Sequence, residues 1–340
     1  MARATIKDIA LAANVSPMTV SNVINGRRAK ASEETIERIM AAVKTLGYRP
    51  NMSARSLVSN ASRMVGVIIP FTENQNQLLL DNPFYAEMIS GIESALRANG
   101  YYMMLSGVGE SNAQLDTLSH WNMDALIVLG VYREALYQRL RELALPTLLI
   151  DSYIDDPSFY RLGVDDEAAA YRATKYLIGK GHSGVALVTG VIRTDGVIER
   201  RVDGYKRALA EAGIGFDPTR ILSGSVTFDW GAEAAAELVT LRDTTAAFCT
   251  ADLIAAGLLA GLHRLGRRIP EDYSVMGFDN LSISRMVYPA LTTMDQSILG
   301  KGQLAGRLIS AILDKTEAPR DSFVDVAIVE RDSVSQRGSR

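Results

Sequence analysis

The sequence contains few of the residues that metal or thiol chemistry requires. Among its 340 residues there is one cysteine, Cys249, and there are three histidines. A single cysteine excludes an intramolecular disulfide and a cysteine-rich zinc site, and the scattered histidines show no metal-ligand spacing. Cys249 ends the apolar run AAFC, so we expect a buried thiol rather than a nucleophile. The sequence therefore predicts no metal and no cofactor.

Long apolar runs are also absent. The N-terminus has no apolar signal core, and no run approaches the length that crosses a membrane. We therefore expect a cytoplasmic protein without membrane contact. With 340 residues, 47% hydrophobic content and a net charge of −3, the chain predicts two or three well-packed domains rather than a disordered protein.

The charge is unevenly distributed along the chain. Residues 1–60 contain nine Lys and Arg against four Asp and Glu, a net charge of +5, and the whole chain carries −3. The remainder therefore carries −8. A basic segment joined to an acidic body indicates a polyanion-binding module fused to a domain with another task.

The basic segment reads as two short helices joined by a tight turn over residues 5–25. Thr5 caps the first helix with Asp8 three residues on, and Asn14 suits a left-handed turn. Ser16 is a second N-cap, followed by Pro17 at the first helical position. Such a helical hairpin can be purely structural. Together with the basic charge, however, it predicts a helix-turn-helix whose second helix reads DNA.

A third helix and a short linker follow. Residues 32–46 show a Ser cap, two acids in the first turn and one apolar stripe, so we expect a helix that closes a small core. The segment at about 51–58 is too short to form a stable helix alone. It reads either as a plain linker or as a hinge helix that folds on DNA.

From residue 64 onward, apolar runs alternate with amphipathic stretches. VGVIIP, ALIVLG, VALVTG, AAFC and SVMGFD are separated by helical patterns, as in a parallel sheet built from βαβ units. The pattern G-x3-A-L-x3-G occurs at 91–100 and again at 204–213. This repeat predicts two similar lobes, with a ligand cleft at the carboxyl ends of their strands.

Several motifs, in this order, resemble the lactose-repressor/galactose-repressor family of bacterial transcription regulators, and the likeness covers nearly the whole chain. The motifs are TIKDIA (5–10), VSPMTVS (15–21), LGYRPN (46–51), ARSL (54–57), PFY (83–85), RVDGY (201–205), GFD (277–279) and PALTTMDQ (289–296).

The resemblance implies an α/β protein with two parts. The first is an all-α helix-turn-helix headpiece at 1–60 that includes the hinge helix. The second is a periplasmic-binding-protein-like core at 63–335, made of two doubly wound parallel sheets. Lobe one would combine about 63–163 and 295–323, and lobe two about 164–293 and 325–335.

The same resemblance implies DNA contacts in the headpiece. Base reading falls on Met18, Thr19 and Asn22, and backbone contacts fall on Ser16, Ser21 and Asn25. A minor-groove wedge falls on Leu57, with Arg55 beside it.

For the cleft, the resemblance implies effector contacts from Phe84, Tyr85, Asp151, Asp165, Arg201 and Asp279. Each has a structural alternative: core aromatics at a helix start, Asp caps at strand ends, and a surface pair of Arg201 with Asp203 or Glu199. The long insert at 73–82, Val226 and Ala251 depart from the pattern of several relatives, so the likeness does not fix which effector binds.

Taken together, these features predict a DNA-binding regulator, most simply a repressor, controlled by a small effector. We expect a homodimer on double-stranded palindromic operator DNA, with a sugar-like effector favoured over a purine. A periplasmic solute-binding protein and a Rossmann-like enzyme are the alternatives. The missing signal core argues against the first, and the lack of a glycine-rich phosphate loop and a nucleophile elbow argues against the second.

Overall fold

The computed structural model describes residues 4–27, 31–48, 61–71, 78–109, 120–130 and 134–337. The chain divides into two units, Met1–Ser62 and Arg63–Arg340. We call the first unit the headpiece and the second the core.

In its described residues, the headpiece contains the helices α1 (Ile6–Ala12), α2 (Pro17–Ile24) and α3 (Glu33–Thr45). The predicted capping box is present, because Thr5 N–H donates to Asp8 Oδ2 at 2.7 Å and Asp8 N–H donates to Thr5 Oγ1 at 3.3 Å. Asn14 adopts the left-handed conformation predicted for the turn, with φ 50°. The apolar stripes of the three helices meet in one small core, formed by Ile9, Ala10, Ala13, Val20, Val23, Ile39 and Ala42.

The first lobe of the core is built on a six-stranded parallel sheet in the order β11-β5-β4-β3-β1-β2. Its strands are β1 (Met64–Pro70), β2 (Tyr102–Val108), β3 (Ala125–Leu129), β4 (Thr147–Ile150), β5 (Tyr160–Gly163) and β11 (Asp321–Phe323). The helices among its described residues are α4 (Pro83–Ala98), α5 (Glu134–Leu143) and α10 (Ile298–Leu313). The central strands β1 and β3 are almost entirely buried, as their continuous apolar runs predict.

The second lobe repeats this plan with the sheet order β12-β10-β9-β8-β6-β7, in which only β12 is antiparallel to its neighbour. Its strands are β6 (Val185–Gly190), β7 (Ile221–Gly224), β8 (Ala246–Cys249), β9 (Ser274–Asp279), β10 (Thr292–Asp295) and β12 (Ala327–Val329). Its helices are α6 (Asp166–Gly179), α7 (Val197–Glu211), α8 (Phe228–Leu238) and α9 (Asp252–Arg264). Two short 3-10 helices, Pro218–Arg220 and Ser282–Arg285, complete it.

The chain passes between the two sheets three times. It does so between β5 and α6, between β10 and α10, and between β11 and β12. Because all strands except β12 are parallel to their neighbours, their carboxyl ends lie at one edge of each lobe, where side chains from both lobes can meet.

The repeated glycines have a packing role in each lobe. A Cβ at Gly91 on α4 would clash with backbone atoms of α10, including the Leu299 carbonyl oxygen. A Cβ at Gly204 on α7 would clash with the Glu167 carbonyl oxygen of α6. The second glycine of each repeat, Gly100 or Gly213, follows the helix with φ 75° or 70°. The repeat therefore encodes one closely packed helix pair per lobe.

Candidate functional site

In the headpiece, α2 has a buried face and an outward face. Ser16 Oγ accepts from Thr19 N–H at 3.1 Å, which fixes the start of the helix. Val20 and Val23 are buried, whereas Met18 is 71% exposed. At the other end, Asn25 Nδ2 donates to Ser21 Oγ at 3.3 Å. Of the residues predicted to contact DNA, Ser16, Met18 and Asn25 are exposed, whereas Thr19, Ser21 and Asn22 are half-buried. Arg55 and Leu57 lie outside the described residues.

In the core, a cleft lies between the two lobes at the carboxyl ends of their strands. Its lobe-one side is formed by Asn82, Phe84, Tyr85, Leu129, Gly130, Ile150 and Asp151. Its lobe-two side is formed by Val191, Arg193, Gly196, Val197, Ile198, Arg201, Val226, Thr250, Ala251 and Asp279. Five of the six predicted effector residues are therefore brought together here.

The sixth, Asp165, is not among the lining residues. It is exposed, and its carboxylate accepts from Ala168 N–H at 2.9 Å as the N-cap of α6. Asp165 therefore caps α6 and does not line the cleft, which agrees with the structural alternative of an Asp cap at a strand end.

Arg201 is a buried member of the cleft, 7% exposed. Its Nε donates to Asp166 Oδ1 at 2.8 Å, and its guanidinium lies 3.7 Å from the centre of the Phe278 ring. The predicted alternative, a surface pair with Glu199 or Asp203, is wrong, since its carboxylate partner is Asp166. Tyr153 donates to the other oxygen of Asp166 at 2.8 Å, so both oxygens of this carboxylate accept a hydrogen bond behind the cleft wall.

Burial sets the electrostatics of this wall. It raises the pKa of Asp166 against the opposing effect of the Arg201 cation. It also raises the pKa of Asp279 to about 7, with Arg201 again opposing the shift. Nearby Asp252 has its pKa raised by burial and then by the charge of Asp279. Of these three carboxyl groups, only Asp279 lines the cleft, and its protonation depends on burial and on the neighbouring charges and hydrogen bonds.

The aromatic pair at the start of α4 forms part of the opposite wall. The rings of Phe84 and Tyr85 meet edge to face with centroids 5.4 Å apart. Asn82 caps the helix by accepting from Phe84 N–H at 3.0 Å and also lines the cleft. The predicted alternative of core aromatics holds in part, since both rings also pack against the lobe-one core.

Sequence reasoning missed several residues behind the cleft. Asp166, Gln296 and Lys301 bond to the lining residues Arg201, Asp279 and Asp151, respectively. Gln296 ends the motif PALTTMDQ at a crossing between the lobes. This position in the sequence could have indicated that Gln296 lies near the cleft. Lys301 gave none, because a lysine on an amphipathic helix ordinarily reads as a surface residue.

The described residues offer little for metal or thiol chemistry. Within them, no group of three His, Cys, Asp or Glu side chains could hold a metal ion. Cys249 is fully buried, and burial raises the pKa of its thiol, which disfavours the reactive thiolate. Among the helices described, none is both long and apolar enough to cross a membrane.

The chain matches two family models. Residues 5–51 match the model of bacterial regulatory proteins, lacI family, and residues 174–334 match the periplasmic binding protein-like domain. These matches fall on the headpiece and on the core, respectively.

Similar proteins align along most of the chain. It is 33% identical to the ribose operon repressor of Haemophilus influenzae, with 94% of each chain covered. It is 35% identical to the HTH-type transcriptional repressor PurR of Vibrio atlanticus, covering 97% of this chain and 98% of that one.

Solved structures show the same organisation. The transcriptional regulator CelR in complex with cellobiose has a TM-score of 0.71 and 30% identity, covering 97% of this chain and 100% of CelR. The lac repressor dimer bound to operator and an anti-inducer has a TM-score of 0.85 over 98% of this chain and 100% of that one. Its 22% identity supports the fold alone.

Proposed function

Because the chain belongs to the LacI family of DNA-binding transcriptional regulators and not to an enzyme family, we propose that it is a repressor controlled by a sugar or sugar derivative held in the cleft. One observation carries the proposal. Charged side chains converge on the cleft from both lobes, Asp151 from one and Arg201 and Asp279 from the other. A ligand held by both lobes favours one lobe arrangement, and its differential affinity is what can shift operator binding.

Hydroxyl-rich ligands suit this combination of groups. Carboxylates accept hydrogen bonds from hydroxyls, guanidinium groups donate to them, and such charged bonds are strong where water is excluded. The aromatic edge of Phe84 and Tyr85 and the apolar side chains of the lining can cover the carbon face of a sugar ring. The complex of CelR with cellobiose and a LacI-family regulator with bound ribose support this ligand class.

In the headpiece, we assign base reading to Met18, Thr19 and Asn22. Backbone contacts are assigned to Ser16, Ser21 and Asn25, whose short polar side chains lie at the two ends and along the outward face of α2. The wedge role of Leu57, with Arg55 beside it, rests on the sequence alone. Leu57→Ala should weaken operator binding and leave the melting temperature of the core unchanged.

The proposed assembly is a homodimer, which matches a palindromic operator with one recognition helix per half-site. Met286 and Tyr288 in the core are 79% and 90% exposed, and large exposed apolar side chains of this kind suit burial against a second copy. Sedimentation equilibrium should give a dimer at micromolar concentration. A stable monomer or tetramer would contradict this part of the proposal.

The effector class is tested on the full chain in two steps. Selection from random duplex DNA gives an operator, and thermal shift with D-ribose, cellobiose, adenine and guanine identifies the ligand. We expect a sugar to raise the melting temperature and to change operator affinity. Asp279→Asn should keep ligand-free operator binding and shift the effective sugar concentration by about tenfold or more, because charged hydrogen bonds contribute roughly 1.5–3 kcal/mol.

Two results would contradict the proposal. Stabilisation by a purine base with no response to either sugar would assign the cleft to another ligand class. Wild-type sugar sensitivity in Asp279→Asn would remove Asp279 from the site.

A further inference from the structure

A completely buried lysine lies directly behind the cleft. Lys301, on α10 of lobe one, is 0% exposed and is not itself a lining residue. Its Nζ donates to both carboxylate oxygens of Asp151 at 2.9 Å and to Gln296 Oε1 at 2.6 Å. These bonds use the three protons of an ammonium group. Lys301 is therefore fully committed to protein partners and has no proton left for a ligand.

The bond from Lys301 fixes the orientation of the Gln296 amide. An ammonium can only donate, so the carbonyl oxygen of Gln296 faces Lys301 and its NH₂ group faces away. That NH₂ donates to Asp279 Oδ1 at 2.6 Å. Four side chains thus form one hydrogen-bonded series, Asp151–Lys301–Gln296–Asp279, which we call the Lys301 network.

The Lys301 network joins the two lobes. Asp151 follows β4 of lobe one, Asp279 ends β9 of lobe two, and Gln296 lies at the crossing between β10 and α10. Its two ends, Asp151 and Asp279, both line the cleft, whereas its middle members lie behind them. A ligand group that displaces one of these two carboxylates therefore also affects the other, through the buried side chains of Lys301 and Gln296.

Some of the residues other than glycine that have a positive φ lie in the network or next to it. Asp151 has φ 52°, Asp279 has φ 125° and Ser297, next to Gln296, has φ 49°. For residues other than glycine, such conformations raise the free energy of the folded state, so they persist only where surrounding contacts hold the backbone in place. At two of these positions, Asp151 and Asp279, the side chain is held by a hydrogen bond of the network.

Charge balance gives the network a second consequence. Besides Gln296, Asp279 faces the cations of Arg201 and Lys301 and the carboxylates of Asp151 and Asp252. Burial favours the neutral form of Asp279, whereas the Gln296 bond and the Lys301 charge favour the ionised form. An apolar side chain at position 301 would remove the cation and free the Gln296 amide to turn.

We propose that Lys301 is a positioning residue for effector recognition, which holds the carboxyl groups of Asp151 and, through Gln296, of Asp279 as hydrogen-bond acceptors on opposite walls of the cleft. This rests on the proposed function of the cleft. It sharpens the ligand class to a neutral polyol that donates hydroxyls to both lobes at once. A ligand that presents a carboxylate to these two positions is disfavoured, because both are acceptors.

The first test needs no ligand. Wild type, Lys301→Met and Lys301→Arg are labelled with ¹³C at the aspartate carboxyls, and the Asp279 signal, assigned through Asp279→Asn, is followed from pH 4 to 9. Lys301→Met should raise the midpoint of Asp279 so that its proton affinity increases about threefold or more, and Lys301→Arg should restore most of the wild-type value. An unchanged midpoint in Lys301→Met would overturn the proposal.

Two further variants separate positioning from packing. Ser310→Ala alters another buried side chain of α10, one that bonds only within its own helix, so the Asp279 midpoint should stay at the wild-type value. Gln296→Leu keeps the Lys301–Asp151 pair but interrupts the series, so it should raise the midpoint as Lys301→Met does. It also provides the test if Lys301→Met fails to fold, and a wild-type midpoint in Gln296→Leu would overturn the proposal.

The second test measures binding by calorimetry with D-ribose and with cellobiose. For the sugar that binds wild type, Lys301→Met should raise the Kd about tenfold or more, and Lys301→Arg and Ser310→Ala should stay within about threefold. Equal affinity in wild type and Lys301→Met would overturn the proposal. If wild type binds neither sugar, the sugar assignment of the cleft fails, and the ligand-free titration still decides the role of Lys301.

Discussion

The headpiece and the core place their functional side chains in opposite environments. In the described headpiece, the hydrogen bonds that shape the helices join residues three or four apart, and Met18, one of the predicted DNA contacts, is 71% exposed. In the core, the cleft is held by buried ion pairs between distant residues, such as Arg201 with Asp166 and Lys301 with Asp151. The headpiece therefore follows from local sequence, whereas the cleft depends on the completed fold.

The largest effect on the free energy of unfolding is expected when a buried ion pair is broken, and breaking an exposed pair provides the comparison. Arg201–Asp166 and Arg97–Glu93 have the same 2.8 Å distance, but the first pair is buried and the second is largely exposed. Arg201→Met leaves Asp166 buried without its cation and should lower the free energy of unfolding by about 3–5 kcal/mol. Arg97→Met should cost about 1 kcal/mol or less.

Urea unfolding followed by tryptophan fluorescence measures both variants, because Trp121 and Trp230, the two tryptophans of the chain, belong to the core. The double variant Arg201→Met with Asp166→Asn should recover part of the loss, since it removes the stranded charge. Equal losses for Arg201→Met and Arg97→Met would show that burial does not distinguish the two pairs.

The second contrast concerns the repeated glycines. Gly204→Ala places a Cβ against the Glu167 carbonyl oxygen and the Tyr171 amide of α6, neither of which can move without shifting the helix. We expect a loss of about 1–3 kcal/mol of unfolding free energy. Gly215→Ala is the matched control, because a Cβ there meets nothing within 4 Å. A loss at Gly204 no greater than at Gly215 would rule out a close helix contact as the reason for the repeat.

These contrasts explain how far the sequence could predict the molecule. The caps at Thr5 and Ser16, the turn at Asn14 and the alternating strands and helices are local patterns, and the structure confirms them. The α/β fold with two parallel-sheet lobes is likewise confirmed. Local patterns carry this information because capping and periodic burial involve residues only a few positions apart.

The pairing of buried charges could not be predicted in the same way. Arg201 reads locally as a partner of Glu199 or Asp203, yet Glu199 accepts from Asp195 N–H and Arg201 turns to Asp166. The packing of α6 on α7 brings Asp166 to Arg201, and the local spacing of the sequence does not specify this packing. Asp165 and Asp166 differ by one position, and only the fold decides which caps a helix and which supports the cleft.

The third prediction concerns pH. Burial raises the pKa of Asp279 from 3.8 to about 7, so the folded state holds a proton there that the unfolded state has lost. Unfolding free energy should therefore fall as pH rises from about 4 to about 7, by at most about 1.4 kcal/mol per pH unit from this group. The raised pKa values of Asp166 and Asp252 act in the same direction.

Asp279→Asn removes one of these three groups and should flatten the slope without abolishing it. The measurement is urea unfolding by fluorescence at several pH values between 4 and 7. A slope in Asp279→Asn as steep as that of the wild type would mean that Asp279 gains no proton on folding.

The smallest expected effect compares one helix cap in each region. Ser16 caps α2 by accepting from Thr19 N–H, and Thr227 caps α8 by accepting from Trp230 N–H, both at 3.1 Å. Ser16→Ala and Thr227→Ala should each cost about 1 kcal/mol. Amide hydrogen exchange on the full chain should show this as roughly fivefold faster exchange in the first turns of α2 and α8, respectively.

Met18→Ala is the control in the headpiece. Its side chain is 71% exposed, so amide exchange should stay unchanged while operator affinity falls. Equal local costs for the two caps would show that a cap has the same value in a small headpiece and in a large core, because its energy comes from the first turn alone. A much larger cost for Ser16→Ala would instead mean that the small headpiece core depends on its caps for folding as a whole.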